Sequence, residues 1–171
     1  MVLPFPYLSE LTYYSYMQIK CRILFFVLIL FTCSSCNDNF ISSIPDYPVN
    51  LELNLTASYP TFKDNPYQYL VFEKPIYNND RIGFGGILVI CGWGSSSIYE
   101  YFAYDLACPH EADSKIKVVP NDIGQAVCEK CQSTYDIVGG YGIPLNSSVS
   151  KEPLKRYKVS QRGDYLLITR K

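Results

Sequence analysis

Residues 108–136 decide the fold, and they read CPHEADSKIKVVPNDIGQAVCEKCQSTYD. The stretch holds two pairs of metal-binding side chains, Cys108 with His110 and Cys128 with Cys131, separated by 17 residues. Each pair follows a predicted strand in a turn-forming context, where a short gap lets both side chains face one ion. Thiolates and imidazole at this spacing suit zinc or an iron–sulfur cluster.

The segments around this stretch predict strands and no helix. Residues 87–91 form a continuous apolar run and residues 99–107 a second strand, which together predict an antiparallel hairpin leading into Cys108. Residues 49–55 alternate apolar and polar side chains, as a half-buried strand does. A final hairpin is expected from residues 154–159 and 165–169. Many short strands predict an all-β antiparallel sandwich or barrel, with a small metal-binding subdomain made of the two cysteine loops.

Length and composition exclude several classes of function. A chain of 171 residues allows one domain, and 48% hydrophobic with 18% charged residues argues against disorder. The net charge of −1 predicts no basic face, so no nucleic-acid partner is expected. A single histidine excludes any site that needs two imidazoles from one chain.

The N-terminal segment has the pattern of an export signal. Residues 23–31 are apolar, Lys20 and Arg22 precede them, and small residues follow. Nine residues are too few to cross a hydrocarbon core of about 30 Å. An uncleaved signal anchor and a buried core helix are the alternatives. A signal that starts at Met17 would look ordinary, so the first 16 residues are interpreted as an over-long start.

Residues 32–36, Thr-Cys-Ser-Ser-Cys, resemble the end of a bacterial lipoprotein signal. Cys36 is the expected lipidated residue because two small residues precede it, and Cys33 is the alternative. The expected organisation is therefore a signal peptide over 1–36, a polar tether over 37–48 and a folded domain over 49–171. Such a protein would be held to a membrane of the bacterial cell envelope through the lipid on Cys36.

The two cysteine loops resemble those of the Rieske [2Fe–2S] domain. In that family the loops read Cys-x-His and Cys-x-x-His, and the second is often followed by Gly-Ser-x-Tyr/Phe-Asp. The resemblance covers residues 104–159 in motif and 49–171 in strand pattern. It implies a [2Fe–2S] cluster on Cys108, His110, Cys128 and Cys131.

The sequence departs from the Rieske pattern at a decisive place. Cys131 stands where the family has its second histidine, and Gln132 stands where it usually has glycine. The disulfide cysteines of the respiratory members are also missing, and Asp113 and Lys130 lie near those positions.

The resemblance also implies roles and a function. Cys108 and Cys128 would hold one iron, with His110 and Cys131 on the other. Ser133 and Tyr135 match positions whose hydroxyls hydrogen-bond a bridging sulfide and a cysteine sulfur. We expect a one-electron carrier that works with a redox partner protein, rather than an enzyme with its own substrate pocket.

The residues leave three other interpretations open. Cys91, Cys108, Cys128 and Cys131 allow three complete disulfide pairings in an oxidising compartment. A structural zinc site with three cysteines and one histidine is also permitted. The third interpretation is a metal-free interaction protein that keeps the fold. Cys91 itself lies in an apolar strand and is expected to be a small core residue.

Overall fold

The computed structural model divides the chain into two compact units, Met1–Phe40 and Ile41–Lys171. The described residues of the first unit are helical. Cys36 and the apolar run of the predicted signal lie outside the described residues, so signal and lipidation remain predictions. Within the described part of the chain, no helix is long and apolar enough to span a membrane. The described residues are 18–20, 22, 42–94 and 98–171.

The second unit is built from antiparallel strands, which confirms the all-β prediction. In its described residues, 42–94 and 98–171, no helix is present. The strands are β1 Val49–Asn54, β2 Tyr69–Phe72, β3 Arg81–Ile82, β4 Ile87–Trp93, β5 Tyr99–Asp105, β6 Val118–Pro120, β7 Gln125–Cys128, β8 Thr134–Asp136, β9 Ile143–Pro144, β10 Arg156–Arg162 and β11 Tyr165–Thr169.

Seven strands form the larger sheet in the order β2-β4-β5-β10-β11-β1-β3. Side chains from every one of these strands meet in a single core, including Phe72 and Ile82 from the two edge strands. A sheet whose two edges share one core must curl round it, so this sheet is a nearly closed barrel. The alternation predicted for β1 is observed, since Val49, Leu51 and Leu53 are buried and their neighbours are not.

The β4–β5 hairpin separates two hydrophobic cores. The predicted hairpin is confirmed, and its register pairs Ile87 with Asp105 and Trp93 with Tyr99. Successive side chains of a strand point to opposite faces. Val89 and its alternate neighbours therefore face the barrel core, whereas Leu88 faces the second core. Burial on both faces explains why β4 is continuously apolar in sequence.

The second core lies under the smaller sheet, whose strand order is β6-β7-β8-β9. This sheet is the predicted metal-binding subdomain, and it is more than two loops because four short strands support the turns. Cys108 and His110 follow β5, whereas Cys128 ends β7 and Cys131 lies in the turn between β7 and β8. Cys108 and Cys128 both belong to the second core.

The described part of the predicted tether, residues 42–48, lies against the domain. Ile44 is 1% exposed. Lys155 Nζ donates to the carbonyls of Ile44 and Pro45 at 3.1 and 2.9 Å and forms an ion pair with Asp46 at 3.2 Å. The compact unit accordingly begins at Ile41, ahead of the predicted boundary at residue 49.

Candidate metal centre

The first cysteine loop is fixed at its base by a buried carboxylate. Asp105 is fully buried, and its Oδ1 accepts the backbone N–H of Ala107 at 2.7 Å and that of Gly85 at 2.9 Å. Cys108 N–H donates to the carbonyl of Ile116 at 3.0 Å. The backbone on both sides of the thiol is thus held by hydrogen bonds before any metal is considered.

The second cysteine loop is a tight turn that requires a left-handed residue. Cys128 N–H donates to the carbonyl of Ser133 at 2.9 Å, and Gln132 N–H donates to the carbonyl of Cys128 at 3.2 Å. Gln132 has φ of 56°. This conformation favours glycine, the residue that the Rieske resemblance implies at this position. Gln132 adopts it nonetheless, with its amide Nε2 donating to the carbonyl of Glu129 at 2.9 Å.

The two loops bring three cysteine sulfurs together. The Sγ atoms of Cys108, Cys128 and Cys131 all lie within 4.8 Å of one another. The Cys108 and Cys131 sulfurs are 3.7 Å apart. A tetrahedral ion with bonds of ~2.3 Å to sulfur separates its ligands by about 3.8 Å. The donor set therefore fits a thiophilic metal.

His110 is the one predicted ligand that lies outside this group. Its side chain is exposed, whereas Cys108, two residues earlier, is fully buried. An exposed ring has room to rotate without leaving a cavity in the core. The structure thus unites three of the four predicted ligands and leaves the imidazole on the adjoining surface.

Comparisons with known proteins give a fold-level likeness. No family model and no curated protein matches the chain. Among solved structures it is similar to the ferredoxin of carbazole 1,9a-dioxygenase from Nocardioides aromaticivorans IC177, with 16% identity, a TM-score of 0.41, and coverage of 72% of this chain and 98% of that one. It is also similar to a chain in the complex of reduced oxygenase and oxidized ferredoxin in carbazole 1,9a-dioxygenase, with 15% identity, a TM-score of 0.39, and coverage of 62% and 92% respectively. Values this low establish neither a family nor a function for this chain.

The two thiols of the second loop, Cys128 and Cys131, differ in acidity. Burial raises the pKa of Cys128 to about 12. Burial also acts to raise the pKa of Cys131, but hydrogen bonds from the Ser133 side chain and backbone, and contacts with the other two thiols, outweigh it and lower that pKa. As the pH rises, Cys131 therefore becomes a thiolate, the form that binds metal, before Cys128 does.

Two hydroxyl groups lie against the sulfurs. Tyr135 Oη is 3.4 Å from Cys108 Sγ, as the resemblance implies for a cysteine sulfur. The Cys131 thiol donates to Ser133 Oγ at 3.2 Å, and this oxygen also accepts the backbone N–H of Ser150 at 2.9 Å. Once Cys131 is ionised, its sulfur can only accept. Both hydroxyls can donate to thiolate sulfur and so stabilise negative charge at the centre.

A third segment supports the second loop and was not predicted. Ser148 Oγ donates to the carbonyl of Thr134 at 2.8 Å and accepts its N–H at 2.9 Å. Ser148 and Ser150 are buried, whereas Val149 between them is exposed. The only sequence signal is the alternation of small polar residues, which is common in surface loops.

An ion pair joins the two cysteine loops. Lys130 Nζ lies 2.6 Å from Glu111 Oε2. Lys130 sits between the cysteines of the second loop, and Glu111 directly follows His110. The Lys130 side chain is 64% exposed and that of Glu111 12%. The pair links the loops at their surface side.

Cys91 takes no part in the site. It is fully buried in the barrel core, on the opposite face of the sheet from Cys108 and Cys128. All three complete pairings of the four cysteines would need Cys91 to reach one of the others, so none of them fits this fold. The prediction that Cys91 is a core residue is confirmed.

Proposed function

We propose that Cys108, Cys128, Cys131 and His110 hold a [2Fe–2S] cluster and that the protein carries single electrons. The observation that carries this proposal is the group of three cysteine sulfurs within 4.8 Å, contributed by two loops of one small sheet. The Rieske-like spacing of the four side chains supports the choice of cluster. When bound, the cluster supplies one-electron redox chemistry.

His110 completes the donor set in this proposal. It lies two residues after Cys108 and is exposed, so its ring can turn toward the sulfurs. Ser133 and Tyr135 would donate hydrogen bonds to the ligand thiolates. The three sulfurs, the imidazole and the two hydroxyls match the chemistry that an anionic iron–sulfur centre requires.

The third thiolate sets the expected reduction potential. Two ferric ions with two sulfides carry a charge of +2, so two thiolates neutralise the cluster and a third makes it −1. A more negative cluster is harder to reduce. We expect a midpoint potential below the Rieske range of about −150 to +300 mV and above the all-cysteine value of about −400 mV.

Cys131, in place of a second histidine ligand, also limits coupling between electron transfer and proton transfer. An imidazole ligand can lose its outer N–H on oxidation, whereas a thiolate has none to lose. His110 is the only ligand of the proposed set with such a proton. Simple electron carriage by exchange with a redox partner protein fits this set better than quinol oxidation does.

Redox titration of the purified protein tests the electron-transfer proposal. We expect visible absorbance that bleaches with dithionite, returns on reoxidation, and has a midpoint between the two ranges given above. A midpoint at or above zero would contradict the charge argument. A protein that shows no redox transition would overturn electron carriage.

A zinc site is the second candidate function. The 3.7 Å separation of the Cys108 and Cys131 sulfurs equals, within about 0.1 Å, the ligand separation at one tetrahedral ion. Zinc on three cysteines and His110 would tie the loops together without redox activity. One zinc per chain without sulfide would select this candidate.

We further propose that the chain is a lipoprotein of the bacterial cell envelope, anchored through Cys36. The apolar run, the preceding basic residues and the Ser-Ser-Cys ending support this. Mass spectrometry of the mature protein tests it. An intact segment 1–35 on the isolated protein would overturn it.

A further inference from the structure

The Cys108 and Cys131 thiols are close enough to react with each other. Both are free, and their sulfurs are in contact at 3.7 Å. A disulfide bond is ~2.05 Å long, so the sulfurs must approach by about 1.7 Å to form one. The Glu111–Lys130 ion pair joins the same two loops at 2.6 Å, so the loops that carry the two thiols are already adjacent.

Access to solvent differs among the three site thiols. Cys108 and Cys128 are 0% exposed, whereas Cys131 is partly exposed. A small oxidant therefore meets Cys131 first. The Cys128 sulfur lies within 4.8 Å of the other two, but the sulfurs in contact at 3.7 Å are those of Cys108 and Cys131. Cys108 is the partner in direct contact with the exposed thiol.

We propose that the metal-free protein closes a Cys108–Cys131 disulfide, so that the site holds either a metal or this bond. The mutual exclusion of metal and disulfide rests on the proposed function, because the disulfide uses two of the four proposed metal ligands. The bond itself rests only on the contact between the sulfurs. A histidine at position 131 could not form it, so the residue that departs from the Rieske pattern creates the switch.

The oxidant is a small disulfide such as oxidised glutathione. The Cys131 thiolate attacks one sulfur of glutathione disulfide, which forms a mixed disulfide and releases one glutathione thiolate. The Cys108 thiolate then attacks the Cys131 sulfur and releases the second glutathione. Two protein thiols are oxidised, one glutathione disulfide is reduced to two thiols, and the protons from the protein thiols pass to the released glutathione.

Disulfide mapping of the stripped protein tests the bond. The purified protein is freed of metal with chelator and reductant, desalted, exposed to oxidised glutathione, alkylated and digested with trypsin. Tryptic cleavage after Lys130 separates Cys128 from Cys131. Cys91 and Cys108 share one tryptic peptide, so a second digestion with chymotrypsin, which cleaves after Tyr99 and Tyr104, separates these two cysteines and makes each pairing distinct. We expect a Cys108–Cys131 peptide with Cys128 and Cys91 alkylated. A Cys128–Cys131 peptide, or alkylation of all three site cysteines, would overturn the assignment.

Zinc uptake tests the exclusion. Reduced metal-free protein should bind zinc, oxidised protein should not, and dithiothreitol should restore binding. Cys91→Ser is the matched control and should respond as the wild type does, whereas Cys131→His should keep binding zinc after oxidation. Equal zinc uptake by oxidised and reduced wild type would overturn the exclusion. A reduced protein that takes up neither zinc nor iron would overturn the proposed function, while a Cys108–Cys131 peptide would still establish the bond.

Discussion

In the proposed [2Fe–2S] site, Cys131 is the ligand that sets the expected reduction potential. It supplies the sulfur that stands in place of an imidazole, and it is the most accessible of the three thiols. The Cys131→His variant removes one negative charge from the ligand set, and we expect its midpoint potential to rise toward the Rieske range. Redox titration of the two proteins side by side measures the shift.

Cys91→Ser serves as the control for that comparison, because Cys91 lies in the other core. Its potential should equal that of the wild type. A Cys131→His protein that binds the cluster with an unchanged or lower potential would refute the charge argument.

Tyr135 should tune the centre through its hydroxyl alone. Tyr135→Phe removes the contact of 3.4 Å to Cys108 Sγ and keeps the buried ring. A hydrogen bond to a charged group contributes about 1.5 kcal/mol, which corresponds to about 60 mV for one electron. The midpoint potential depends only on how much stronger this hydrogen bond is in the reduced centre than in the oxidised one. We therefore expect the midpoint potential to fall by a few tens of mV. A rise in potential would contradict the assigned direction of the hydrogen bond.

Gln132 shows how far single residues could be interpreted from sequence. Its departure from glycine was visible, but the positive φ that explains the preference for glycine emerged only from the turn. Cys108, Cys128 and Cys131 could be recognised as candidate metal ligands, because the spacing within each loop is visible in a few consecutive residues. The exposed position of His110 was not predictable, since the side-chain direction depends on how the whole loop lies on the second core.

Between structural elements, the Glu111–Lys130 ion pair is expected to fix the position of one cysteine loop relative to the other. Lys130→Glu places like charges together and should speed metal loss severalfold. The swapped variant Glu111→Lys with Lys130→Glu restores the pair and should recover most of the wild-type rate. The effect should shrink as salt is added, because the lysine is largely exposed.

Metal release to a chelator, followed at low and high salt, measures this effect. Lys158→Glu is a matched charge control, since Lys158 is exposed in β10 and forms no ion pair among the described residues. A swapped variant that loses metal as fast as Lys130→Glu alone would show that the pair does not position the loops.

Elements with a strong local pattern were predictable, and elements held by distant partners were not. The β4–β5 hairpin and the alternation in β1 follow from apolar periodicity, and the structure confirms both. Residues 42–48 have a polar, proline-containing composition typical of a tether. Their attachment depends on the burial of Ile44 and on hydrogen bonds from Lys155, which is more than 100 residues away in sequence.

For the molecule as a whole, buried thiol and phenol groups predict loss of stability at alkaline pH. Burial raises the pKa of Cys91 from its ordinary 9.0 to about 11 and that of Tyr101 from 10.0 to about 12. Between these values the unfolded chain releases protons that the folded chain keeps. Stability is therefore fully present below about pH 9 and falls as the pH rises.

Urea unfolding of the reduced, metal-free protein between pH 8 and pH 11 measures this loss. Cys91→Ala should show a shallower decline over the lower part of that range, since it removes the first of the titrating groups. An unfolding midpoint that stays constant up to pH 11 would contradict the burial of these groups.

The division into two cores could not be predicted from the sequence. A continuously apolar strand indicates burial on both faces, yet nothing local says which elements cover each face. The structure assigns the barrel core to one side of β4 and the cysteine loops to the other. That division places Cys91 in one core and Cys108, Cys128 and Cys131 at the other. A count of the cysteines in the sequence does not reveal this separation.

The proposed cluster requires Cys108, Cys128 and Cys131 together with His110 as its ligands. The most direct test is iron, zinc and acid-labile sulfide analysis, with a visible spectrum, of protein purified without added metal. Two irons and two sulfides per chain are predicted, unchanged in Cys91→Ser and lost in Cys128→Ser. Protein with one zinc and no sulfide, or with a metal content that survives Cys128→Ser, would contradict the account.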